Sequence, residues 1–172
     1  MDALNYKQLI LPLADMLYRF ARSILKNDDQ AKDAVQELNL KLWEKRNYLD
    51  TVDNLQAFTM KSMRNLCLDE IRKRKNNNDL YEDLHSEIPG PHQQVEENDM
   101  SKIIKNMIES LPELQKTVMR LRDIEGFEIE EIATITGLTN NAVTVNLSRA
   151  RQKIRERINN EYLKVEKNVW IG

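Results

Sequence analysis

The residues best suited to chemistry lie near the C-terminus. Between residues 140 and 158, Asn140, Asn141, Thr144, Asn146 and Ser148 are short hydrogen-bonding side chains. Arg149, Arg151, Lys153, Arg155 and Arg157 follow them, against a single acid, Glu156. Val143, Leu147, Ala150, Ile154 and Ile158 recur at helical spacing through the same stretch, which assigns them to a buried stripe and leaves the polar groups on the other faces. Short amides and hydroxyls early in a helix can enter a major groove and bond base edges. Cations further along hold phosphates and fix the register. The bland alternative is a surface helix with a basic end. The Gly137-Leu138 turn, the capping residue Thr139 and a shorter periodic segment over 128–136 (Ile129, Ile132, Ala133) favour a helix-turn-helix.

A second group lies in a periodic segment over 54–76. Its core stripe is Met60, Met63, Cys67 and Ile71, and on another face Phe58, Lys61, Asn65 and Arg72 fall together. An aromatic ring beside an amide and cations is what an unpaired nucleic-acid strand needs: the ring stacks on a base, the amide reads an edge and the cations neutralise phosphate. The segment ends in Arg72-Lys73-Arg74-Lys75. Such a cluster either contacts nucleic acid or serves the helix dipole at its C-terminus. A third group, Asp33, Gln36, Glu37, Leu40 and Glu44, shares one face of a segment over 30–46. It is either solvated surface or a docking face with an apolar anchor and a charged surround.

Enzyme chemistry has little support. His85 and His92 are the only histidines, with no organised acid–base pair around them. Cys67 is the only cysteine, so an internal disulfide and a thiolate zinc site are excluded; it reads as a small core side chain. No metal or cofactor is expected.

The elements that must position these groups are helical. The chain has 172 residues with only 4 Gly, 4 Pro and 6% aromatics, and its 41% hydrophobic content fits a folded chain. Residues 13–26 carry a stripe of Leu13, Leu17, Phe20, Ala21 and Ile24, with Pro12 in the first turn. Residues 30–46 carry Ala31, Ala34, Val35, Leu38 and Leu42, with Asp28 and Asp29 as caps. A short helix is expected near 100–110 and another over 112–125, opened by Pro112 and carrying Leu114, Val118 and Leu121. Gly126 and Gly137 end periodic runs. The expected fold is all-α.

The net charge of −2 argues at first against a nucleic-acid partner. It hides three blocks. Residues 1–78 hold 14 basic and 11 acidic residues, residues 79–100 hold 7 acidic and no basic ones, and residues 101–172 hold 12 basic and 10 acidic. The acidic block contains Pro89-Gly90-Pro91 and no sustained periodicity. Residues 77–99 therefore read as a tether between a domain over 1–76 and another over 100–172; a surface loop of a single domain is the alternative. No basic-then-apolar leader opens the chain, and the apolar run Leu9 to Leu13 is far below the ~20 residues that span a bilayer. A soluble, cytoplasmic protein without membrane insertion is expected.

These segments resemble bacterial RNA polymerase sigma factors of the extracytoplasmic-function (ECF) class, within the sigma-70 family. Ala31-Lys32-Asp33-Ala34-Val35-Gln36-Glu37 with Leu42-Trp43 is similar to that family's polymerase-binding helix. Met63-Arg64-Asn65-Leu66-Cys67-Leu68-Asp69-Glu70-Ile71-Arg72-Lys73 is similar to its helix for the −10 promoter element. Ser110-Leu111-Pro112, Leu121-Arg122, Glu125-Gly126-Phe127, Glu130-Glu131-Ile132-Ala133 and Leu147-Ser148-Arg149-Ala150-Arg151 resemble its −35 region.

The resemblance implies a region 2 helical bundle and a region 4 helix-turn-helix. It implies core polymerase (β′ and β subunits), promoter DNA and an anti-sigma factor as partners, and a specificity subunit instead of an enzyme. Asp33, Gln36, Glu37, Leu40 and Trp43 would bind polymerase. Tyr48, Leu49, Asp50, Asn54, Phe58, Lys61, Arg64, Asn65, Arg72, Lys73 and Arg74 would meet the −10 element, with the segment from Tyr48 to Leu55 capturing a flipped base beside Asn65. Asn140, Asn141, Thr144, Val145, Ser148, Arg149, Arg151 and Lys153 would meet the −35 element. The acidic tether would lie in the polymerase's RNA exit path. The competing reading is a stand-alone helix-turn-helix regulator with a helical sensor domain.

Overall fold

The computed structural model describes residues 1–78 and 99–169. The expected tether, apart from its ends, and with it His85 and His92, lies outside the described residues, as do residues 170–172. Packing divides the chain into two compact units, one drawn from the N-terminal half and one from the C-terminal half. Every regular element among the described residues is helical.

The first unit opens with a helix that the periodicity does not predict, α1 (Ala3–Leu9). The Asp2 carboxylate caps it, accepting from the Asn5 backbone N–H at 2.7 Å. Pro12 sits in a separate 3-10 turn, Leu11–Leu13, and α2 (Ala14–Leu25) follows. The inward stripe of α2 is Met16, Leu17, Phe20, Ala21 and Leu25. Leu25 takes the place expected for Ile24, and Leu13 is only half-buried because the turn ends there. Lys26 ends α2 in the left-handed region at φ 58°.

Next comes α3 (Asp28–Glu44). Its cap is Asn27, whose side chain accepts from the Gln30 N–H at 2.9 Å, so Asp28 and Asp29 stand in the first turn, where their charge favours the helix dipole. Ala31, Ala34, Leu38 and Leu42 are buried, whereas Val35 is half-buried. The short α4 (Arg46–Leu49) leads by a turn to α5 (Leu55–Asn78). α2 packs against both α3 and α5. Met60, Met63 and Cys67 are fully buried on α5, but Ile71, expected beside them, is 40% exposed. The packed part of α5 ends one turn earlier, and the basic segment beyond it is largely open to solvent.

In the second unit, α6 (Asp99–Glu109) leads to α7 (Glu113–Met119). Pro112 stands at the N-cap of α7, where its carbonyl accepts from the Lys116 N–H at 2.9 Å. The helix expected over 112–125 is not uniform. It passes into a π turn, Arg120–Ile124, with the Glu125 N–H reaching back to the Arg120 carbonyl. Leu111, Val118 and Leu121 are buried, whereas Leu114, expected on the same stripe, lies in the first turn of α7 and is exposed. The buried ammonium of Lys116 is held by Glu109 (3.3 Å) and Glu113 (2.9 Å).

A reciprocal Glu128–Glu131 capping box starts α8 (Ile129–Thr136), and Gly137 ends it at φ 75°. Thr139 then caps α9 (Asn140–Val169), its hydroxyl accepting from the Ala142 N–H at 3.2 Å. Val143, Leu147, Ala150 and Ile154 are buried as expected. Ala150 and Ile154 pack with Met107, Ile108 and Leu111. α9 outruns its expected end at 158, since no Gly or Pro interrupts the sequence up to Val169.

Candidate nucleic-acid interfaces

The first unit carries an open groove of about 630 Å³ between the C-terminal end of α3, α4 and α5. Tyr48 and Phe58 stand in it with ring centroids 6.1 Å apart and planes tilted by 54°, so their faces do not stack on one another. Asn65, exposed two turns along α5 from Phe58, lines the same groove. Polar groups that the reading of the sequence did not single out also line it: Lys41, Lys45, Ser62 and Asp69. A signal was present, because Phe58, Ser62, Asn65 and Asp69 recur at helical spacing. Rings with an amide and flanking cations in a concave site suit an extruded base.

Three of the residues expected at this DNA site hold the fold. Leu49 is buried. The Asn54 side chain caps α5, accepting from the Ala57 N–H at 2.9 Å. Asp50 accepts from the amino group of Met1. The cations vary in exposure: Lys61, Arg72 and Lys73 are exposed, Arg64 and Arg74 half-buried. Arg72 pairs with Asp69 (3.1 Å) and Lys73 with Glu70 (2.7 Å), each one turn away. Its hydrogen bond to Glu70 raises the Lys73 pKa, and the same bond holds the Glu70 carboxyl below its usual range.

On another face of α3, Asp33 and Gln36 are exposed and Glu37 is half-buried, bonded to Lys41 at 2.5 Å. Leu40 is 65% exposed among them. Trp43 is held at its edge by Tyr6 (5.1 Å between centroids) and covered by the Arg46 guanidinium 4.6 Å above the ring. It is thus partly fold and partly surface.

The second unit presents a convex face. With Val143, Leu147, Ala150 and Ile154 inward, helical geometry aims Asn141, Val145, Ser148, Arg149 and Gln152 directly away from the core. Thr144 and Arg151 flank them on one side and Lys153 on the other. The Thr144 hydroxyl donates to the Asn140 carbonyl (3.0 Å) and the Asn146 amide to the Ala142 carbonyl (2.8 Å). Arg151 is bonded twice to Asp123, and those bonds raise its pKa.

Both halves match one family. Residues 9–77 match the profile described as Sigma-70 region 2, and residues 101–154 match the one described as Sigma-70, region 4. The chain belongs to the sigma-70 family. Curated relatives include the ECF RNA polymerase sigma factor SigE of Mycolicibacterium smegmatis, 26% identical over 88% of this chain and 61% of that protein. RNA polymerase sigma factor SigV of Bacillus subtilis is 29% identical over 85% of this chain and 86% of its own length. The chain thus spans less than two thirds of SigE and most of SigV. Among solved structures, the sigma factor RpoE of Bartonella quintana, crystallised with its anti-sigma factor NepR, matches at a TM-score of 0.74 and 27% identity over 90% of this chain and 97% of that one. CnrH, solved with the cytosolic domain of CnrY, shares the fold at a TM-score of 0.63 and 20% identity over 92% of this chain and 90% of its own.

In these terms the groove with Tyr48, Phe58 and Asn65 lies in region 2, as does the face around Leu40, and the convex face of α9 lies in region 4. A region 2 match across the first unit favours a sigma factor over a stand-alone regulator with a sensor domain. The Cys67 thiol in the region 2 core is pushed up to about 12, by burial first and then by the charge of Glu70, so it is chemically quiet. No group of His, Cys, Asp and Glu among the described residues is arranged to hold a metal ion. No helix among them is long and apolar enough to cross a membrane.

Proposed function

We propose that this chain, an ECF sigma factor by family, binds core RNA polymerase through Asp33, Gln36, Glu37, Leu40 and Trp43 and directs it to promoters with two separate DNA sites. Region 2 captures a base extruded from the −10 element between Tyr48, Phe58 and Asn65. Lys61, Arg64, Arg72, Lys73 and Arg74 neutralise the phosphates beside it. Region 4 sets the α9 face into the −35 major groove, with Asn141, Ser148 and Arg149 at base edges, Val145 against an apolar base edge, and Asn140, Thr144, Arg151 and Lys153 along the backbone. The chain acts as a specificity subunit, not an enzyme, and works inside the cell with the polymerase. The RpoE–NepR pair supports a cognate anti-sigma factor as a further partner.

The observation that carries this reading is the pairing of a concave aromatic groove in region 2 with a convex polar helix face in region 4. Base extrusion needs the first and duplex reading the second. Both halves carry only a modest basic excess, so unaided DNA binding should be weak, since affinity follows the number of phosphates neutralised. Adding the pure chain to sigma-free core polymerase and mapping transcription starts tests it. Discrete starts sharing two upstream elements are expected. Starts no more focused than with core alone would overturn it.

A further inference from the structure

The acid Asp123 has no part in the proposed function, yet its placement is specific. It lies in the π turn Arg120–Ile124, whose extra residue per turn keeps Leu121 in the core while Asp123 reaches α9. There its two oxygens receive Nε (3.2 Å) and Nη2 (2.5 Å) of Arg151. The neighbouring cations are engaged elsewhere. Arg120 pairs with Glu109, and Arg122 donates to the Phe127 carbonyl (2.8 Å) and pairs with Glu128 (2.7 Å).

Both partners are partly exposed, and exposed pairs add little stability. What the pair fixes is orientation. A guanidinium has five N–H groups in one plane. Asp123 takes the Nε edge and leaves the outer edge, one N–H on each terminal nitrogen, which is the fork that fits a phosphate. Arg151 lines an open groove of about 550 Å³ along one flank of α9 with Thr144, Ser148, Gln152, Arg155 and the acid Glu156, which takes up the Gln152 amide (2.9 Å), so an oxyanion there meets the guanidinium groups of Arg151 and Arg155 from successive turns.

We propose that Asp123 is a positioning residue of the region 4 interface: it holds the Arg151 guanidinium in a set plane so that its outer edge receives a backbone phosphate of promoter DNA. The proposal rests on the sigma-factor reading given above. An unsupported arginine must give up its rotamer freedom on binding, and a side chain ordered beforehand does not. The carboxylate also repels phosphate, but its charge is already met by two bonds to Arg151 and is screened by salt. Ordering therefore outweighs repulsion.

The test uses the full chain with core polymerase on a promoter fragment mapped with the wild type. Asp123→Ala should weaken fragment binding about fivefold, and Asp123→Glu should restore part of the loss. In an Arg151→Ala background, Asp123→Ala should cost nothing more, because its effect runs through that arginine. Unchanged or tighter binding by Asp123→Ala overturns the proposal, since Asp123 is then only a like-charged neighbour of the phosphates. An equal loss with and without Arg151 overturns it too, as an effect through folding. A wild type that gives no promoter-directed starts overturns the sigma-factor reading and this proposal together.

Discussion

Regions 2 and 4 present surfaces of opposite shape. Region 2 offers a groove where Tyr48 and Phe58 leave room for a flat ring, with Asn65 at its side. Region 4 offers a ridge, with Asn141, Val145, Ser148 and Arg149 standing out from α9. Their cations differ as well. On α5, Arg72 and Lys73 pair within their own helix one turn back, whereas on α9 Arg151 pairs with an acid 28 residues away. Pairs within one helix turn are easily exchanged for phosphate. A pair between elements fixes the direction of a side chain. The difference fits the proposed division of labour, in which one half holds a base taken out of the stack and the other reads a duplex left intact.

The sharpest way to break this contrast is Phe58→Ala. It removes a ring from the groove and the neighbour of Tyr48, and the expected loss is about 3 kcal/mol in binding a forked −10 fragment by holoenzyme. Binding to a duplex −35 fragment should not change. A matching loss on both fragments would erase the division of labour. Arg149→Ala, the converse, should cost about 2 kcal/mol of −35 discrimination, the worth of one good base contact. It should leave the forked fragment untouched. If the loss is the same on all −35 sequences, Arg149 is a phosphate contact and the ridge reads through its other residues.

The ridge was far easier to read in the sequence than the groove. Val143, Leu147, Ala150 and Ile154 lie on one helix, and naming the inward face of a helix names its outward face. The groove is assembled from three elements, and residues such as Lys41 and Asp69 join it only once α3 and α5 are packed side by side. No periodicity within one segment reports that. Leu49 and Asn54 show the same limit: the resemblance places them at the −10 site, but only the packed structure shows that one is buried and the other caps α5. The π turn was hidden for a different reason. Its residues keep a helical pattern, and one widened hydrogen bond between Glu125 and Arg120 leaves no mark in composition. The first helix was missed because seven residues are too few for a stripe to show, although Asp2 was a legible cap.

The smallest predicted effect contrasts the two regions through one backbone conformation. Region 2 ends α2 with Lys26 at φ 58°, and region 4 ends α8 with Gly137 at φ 75°. Left-handed backbone costs a side-chain-bearing residue about 1 kcal/mol because its Cβ crowds the following carbonyl. A Cβ at Gly137 would meet no atom within 4 Å, so Gly137→Ala carries this backbone term and little else. It should lower the stability of region 4 by about 1 kcal/mol in denaturant unfolding. Lys26→Gly should act in the opposite direction on region 2. Its gain should be smaller, about 0.5 kcal/mol, because glycine also raises the entropy of the unfolded chain. Opposite signs would show that region 4 received glycine where its turn needs it and that region 2 tolerates strain at the matching place. Two losses would mean that Lys26 contributes more through its contacts than its backbone costs.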